Sequence, residues 1–61
     1  MEYFEVFARR RPDEPLLHVG TVRAAGGDDA EVFASKLYDQ WRWSELFVAP
    51  RAAIVSVRRP D

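Results

Sequence analysis

The chain has 61 residues, with 9 basic and 10 acidic side chains, one His and no Cys. That length holds one small domain close to the lower limit for unaided folding, and a 48% hydrophobic content is rich enough to build a core. Without Cys there are no disulfides, thiolate metal sites, iron-sulfur ligands or cysteine nucleophiles; one His precludes a multi-histidine metal site, and a net charge of −1 supplies no positive field for nucleic acid.

Residues 3–9, YFEVFAR, have strand-like composition and partial alternation, with Phe4, Val6 and Ala8 on one face and Tyr3, Glu5, Phe7 and Arg9 on the other. The next six residues, RRPDEP, carry two prolines and predict a hairpin loop. Residues 16–23, LLHVGTVR, supply the second strand. Strict alternation there sets Leu17, Val19 and Thr21 against Leu16, His18, Gly20 and Val22, so that His18 and Gly20 share a face.

Ala24-Ala25-Gly26-Gly27 breaks the pattern, and the period then changes from two to about 3.6. Ala30, Phe33, Ala34, Leu37, Tyr38 and Trp41 fall on one stripe of a helix that is expected to reach Trp41 or Trp43 and to bury Phe33 and Leu37. Asp28 and Glu31 have the spacing of a capping box, and Asp28, Asp29 and Glu31 together favour the positive helix terminus. Leu46–Ala49 predicts a third strand ended by Pro50, residues 51–53 a connection, and Ile54–Val57 a possible fourth strand before a tail at Pro60 and Asp61. The fold class is therefore α+β: one domain over residues 1–61, with a small antiparallel sheet of three or four strands packed against one helix in the order β-β-α-β-(β).

A single helix covers one side of such a sheet, and the other side carries apolar residues that call for a partner. His18 lacks a second His or a nearby carboxylate in sequence and is read as a structural or contact residue, with Gly20 letting a partner or an aromatic group approach closely. Gly26-Gly27 followed by two aspartates is read as a turn into a helix, not a phosphate cradle. Arg9, Arg10 and Arg11 are read first as a solvated hairpin end, with a partner-contact patch as the alternative, in which Arg9 pairs with a partner's carboxylate. Tyr38 and Trp41 are assigned to the core, whereas Arg42 and Trp43 turn off the helical stripe and suit an interface. Asp39 and Glu45 are surface acids, and an autonomous enzyme using either with His18 is disfavoured in so small a chain. The expected partner interface is thus Tyr3, Phe7, Arg9, His18, Gly20, Arg42 and Trp43, with no catalytic, cofactor-binding or metal residue assigned. No apolar run reaches membrane-spanning length, and the expected compartment is the cytoplasm.

Glu5-Val6-Phe7, then His18-Val19-Gly20 and Ala24, then Tyr38 and Leu46-Phe47-Val48 occur in an order that resembles the PaaB small-subunit family of bacterial phenylacetyl-CoA epoxidase, over about residues 2–55. The resemblance implies a non-catalytic accessory or connecting subunit of a multicomponent di-iron oxygenase in aerobic phenylacetate degradation. Its implied partners are a catalytic di-iron subunit and a structural helical subunit. The di-iron site belongs to the former, and NADPH, flavin and an iron-sulfur cluster to a separate reductase. The alternative is a homo-oligomeric or general protein-binding module unrelated to phenylacetate breakdown.

Overall fold

The computed structural model describes residues 1–55. These form β1 (Glu2–Arg9), β2 (Leu17–Ala24), α1 (Gly27–Leu37), β3 (Glu45–Pro50) and a 3-10 turn (Arg51–Ala53). The strands make one sheet of order β2-β1-β3 in which both outer strands run antiparallel to β1. β2 and β3 are therefore parallel to each other with β1 between them, and α1 carries the chain across β1 from one edge to the other, because a parallel relation needs a crossover. This is the expected α+β architecture, with three strands among the described residues. Ile54 and Val55 lie outside any strand; the rest of the expected fourth strand, Ser56 and Val57, and the tail at Pro60 and Asp61 lie outside the described residues.

The hairpin turns at Arg11–Glu14, where the Glu14 amide donates to the Arg11 carbonyl at 3.1 Å and Pro12 supplies the fixed φ of the second turn position. The predicted faces of β1 hold: Phe4, Val6 and Ala8 are buried and join Val22, Ala24, Ala30 and Ala34 in the core. Leu46 and Val48 of β3 pack against the same cluster, since they pair with Ala8 and Val6 on that face. The molecule is a two-layer slab about 15 Å through its shortest axis.

Three expectations are corrected. First, β2 does not alternate strictly. Val6 pairs with Gly20 and Phe7 with His18, so Val19 is an extra residue in the ladder, a β-bulge. The bulge resets the faces: His18 and Thr21 lie together on the outer side, opposite Phe7 and Glu5, while Val19, Gly20 and Val22 lie on the helix side. His18 and Gly20 are thus on opposite faces.

Second, α1 stops at Leu37, short of Trp41. The chain has to return to the free edge of β1, where the Ser44 amide donates to the Arg9 carbonyl at 2.9 Å, and this tertiary demand overrides the helical period. The sheet-facing ridge is also narrower than the stripe predicted. Ala30 and Ala34 are buried against the sheet, whereas Phe33 is 45% exposed, Leu37 60% and Trp41 48%; two alanines let the helix sit close, which leaves the larger side chains at its flanks.

Third, there is no capping box. Gly26 is the N-cap and no side chain caps the helix. Asp28 and Asp29 sit inside the first turn instead, where their charge still suits the positive helix terminus.

Candidate functional site

The outer face of the sheet carries no α-helix among the described residues, only the 3-10 turn at Arg51–Ala53 beside Tyr3 and Glu5, and its side chains form one connected surface. Cross-strand pairing brings Phe7 beside Phe47 and His18. The Phe7 and Phe47 rings stack at 5.5 Å, and Phe7 and His18 tilt together at 5.3 Å, spacings at which aromatic pairs attract beyond their area burial. Tyr3 lies under two guanidinium groups, Arg51 at 4.7 Å and Arg23 at 5.9 Å from its ring centre.

Glu5 is at the centre of this face, its side chain only 15% exposed. The Thr21 hydroxyl donates to Oε1, and His18 Nε2 lies 3.4 Å from the same oxygen. On the other side Arg51 Nε donates to Oε2 at 3.2 Å. The Thr21 hydrogen bond, followed by the bond and charge of Arg51 and the bond to His18, holds the Glu5 carboxyl below the usual carboxylate range, against an opposing push from burial. One carboxylate therefore ties together the centre strand, one edge strand and the turn that follows the other edge.

Arg9 closes this face at the hairpin end. Its Nε lies 3.1 Å from Glu45 Oε1, an ion pair without hydrogen-bond alignment, and Nη1 donates to the Pro12 carbonyl at 3.2 Å. The Arg9 guanidinium and the Glu45 carboxylate are thus engaged within the chain itself.

The expected interface residues divide between the two sides of the slab. Tyr3, Phe7, Arg9 and His18 converge on the outer face. Gly20 faces the helix side, where a Cβ would collide with the Tyr38 hydroxyl. That hydroxyl donates to the Val19 carbonyl at 3.3 Å, an acceptor in the one residue of β2 that the bulge leaves opposite no partner. Trp43 is half-buried on the same side, its indole Nε1 donating at 2.8 Å to the Tyr38 carbonyl just past the helix end, so it satisfies an acceptor that the last helical turn leaves open. Arg42 is exposed between Trp41 and Trp43.

Sequence reasoning missed Thr21, Phe47 and Arg51 as parts of the outer surface and Glu5 as its centre. Strict alternation had placed Thr21 on the other side, and nothing local in the sequence brings Arg51 back over Tyr3. The one available signal was Gly20, because an isolated glycine inside a strand marks a bulge or a close approach.

Among the described residues no three His, Asp or Glu side chains come together in a way that could hold a metal ion, and no helix is long and apolar enough to cross a membrane. In the sheet Val6 lies between Gly20 and Val48, Phe7 between His18 and Phe47, and Tyr38 bonds to Val19. Comparison with known proteins finds no matching family model, no matching curated protein and no matching solved structure.

Proposed function

We propose that this chain is a non-catalytic connecting subunit of a multicomponent di-iron oxygenase acting on phenylacetyl-CoA, docked onto its partners through the outer face of the sheet. The observation that carries the docking is the continuous surface of Tyr3, Phe7, Phe47 and His18 around Glu5, on a sheet side that no described α-helix covers. Half-exposed aromatic rings flanked by arginine are the composition of interface centres. The identity of the partners rests on the ordered resemblance of residues 2–55 to the small epoxidase subunit.

In this role the chain organises the assembly. The iron ligands, the bound substrate and the electron path belong to the other subunits, while Phe7, Phe47 and His18 provide the contact surface and Glu5 ties it to Thr21 and Arg51. The test is reconstitution of epoxidation from the catalytic, helical and reductase components with and without this chain, alongside co-purification of the chain with the first two. Loss of turnover or of complex stability on its omission is expected. Unchanged turnover and stability would reject the role.

A second reading, a homo-oligomeric module, is favoured by one observation: among the described residues β2 and β3 each leave one edge unpaired. Light scattering across concentration separates the two readings when joined to the reconstitution, since a self-associating chain without effect on epoxidation is expected only from the second.

A further inference from the structure

On the helix side, at the hairpin end of the slab, Arg10, Leu17, Val19, Tyr38, Trp41 and Trp43 line a cleft of about 310 Å³. It is separate from the outer sheet face and comes from three departures from regular structure: the bulge at Val19, the early end of α1, and the loop that carries both tryptophans of the chain. We infer that this cleft is a second binding site, whose occupant is an acidic polypeptide segment of a partner inserting one aromatic or large aliphatic side chain.

Three observations set that chemistry. The polar ends of two wall residues are already satisfied, because the Tyr38 hydroxyl bonds to Val19 and the Trp43 indole to the Tyr38 carbonyl. These walls present apolar ring faces, held in place before any ligand arrives, which lowers the ordering cost of binding. The Trp41 and Trp43 rings tilt at 55° with centres 5.9 Å apart, close enough to pack on each other, so together they make one apolar wall of the cleft.

The charge at the cleft is Arg10, which is exposed and joins no ion pair among the described residues, whereas the neighbouring Arg9 and Arg11 pair with Glu45 and Glu14. A ligand that complements this cleft therefore combines an apolar body with a carboxylate beside it. A polypeptide fits better than a small molecule because the walls are open: Leu17 is 45% and Trp41 48% exposed. Small-molecule pockets enclose most of their ligand, while an open cleft lined by Trp and Arg is the form of a side-chain hot spot, with the rest of the segment lying outside it.

The experiment selects a displayed library of random short peptides on the full-length chain, then titrates the enriched peptides that contain no Trp while following the intrinsic emission of Trp41 and Trp43. Expected is enrichment of a Phe, Leu or Met flanked by Asp or Glu, a saturable emission change, and a loss of affinity of about tenfold or more in Arg10→Glu. Trp41→Ala, at an exposed loop position whose folding is checked by circular dichroism, is expected to abolish binding. The inference is overturned by enrichment of peptides without that pattern, by affinities indifferent to Arg10→Glu or Trp41→Ala, by the absence of a saturable signal, or by N-acetylphenylalanine amide binding as tightly as the peptides.

Discussion

Gly20 shows how one atom decides the helix side of the molecule. Its missing Cβ leaves room for the Tyr38 hydroxyl, which reaches the carbonyl of the bulged Val19. Gly20→Ala is expected to cost about 1–3 kcal/mol from overpacking, although the substitution also restricts the unfolded chain and so recovers part of that cost. Tyr38→Phe removes the colliding oxygen. In the double variant the alanine should therefore cost less than it does alone, by about 1 kcal/mol, measured as a double-mutant cycle in denaturant unfolding. Additive losses would show that Tyr38 does not occupy the space above Gly20.

At the same scale, Glu5 makes stability depend on acid. Its folded-state carboxyl is held below the usual range by Thr21, Arg51 and His18, so the unfolded chain takes up the proton first as the pH falls. The contribution of Glu5 is fully present above the ordinary carboxylate range and is lost as the pH drops through its lowered value. Unfolding followed from neutral to acid pH should show a steeper loss in the wild type than in Glu5→Gln, with Thr21→Val in between. Identical slopes for the wild type and Glu5→Gln would contradict the arrangement.

At the scale of elements, β1 and its buried face were legible because its inward residues Phe4, Val6 and Ala8 are all apolar, although Phe7 interrupts the alternation on the outer side. β2 was legible as a strand but not in its faces. A bulge inserts one residue without changing composition, and only Gly20 hinted at it. The helix start was legible to within two residues, with Gly26 and not Asp28 as its N-cap, and its end was not legible. Tyr38 and Trp41 continue the apolar period, but the chain has to leave the helix to reach the edge of β1, and the Trp43 indole takes up the Tyr38 carbonyl where the helix stops.

The packing corrects the expected energetics of that helix. Phe4 is 3% exposed, and Phe4→Ala should cost about 3–5 kcal/mol. Phe33 and Leu37 are about half exposed, so alanine at either position should cost about 1 kcal/mol, well below the value for a fully buried side chain. Thermal or denaturant unfolding of the three variants checks this order. A loss at Phe33 as large as that at Phe4 would mean that the helix stripe is buried after all.

For the whole molecule, the sequence pointed to a sheet with one covered and one open side, since one helix cannot cover both. It did not reveal the order β2-β1-β3, which depends on the crossover of α1, nor that four of the expected contact residues would converge on the open side while Gly20 and Trp43 serve the other. The buried apolar core consists of Phe4, Val6, Ala8, Val22, Ala24, Ala30 and Ala34, of which four are alanines. Tyr3, Phe47, Trp41, Leu37 and Phe33 all remain substantially exposed. A chain of this size that leaves so many large apolar groups outside a small core is suited to life in an assembly.

The central claim is that the outer sheet face is the docking surface for the oxygenase subunits. It is tested most directly by isothermal titration of the chain into the assembled di-iron and helical subunits, comparing wild type, Phe47→Lys with Tyr3→Ser, and Val32→Lys on the exposed side of α1 as a control, with the unfolding stability of each variant measured in parallel. The account expects the outer-face variant to lose affinity by about tenfold or more while remaining folded, and Val32→Lys to bind like the wild type. An outer-face variant that binds as tightly as the wild type, or no binding by the wild type itself, would contradict it.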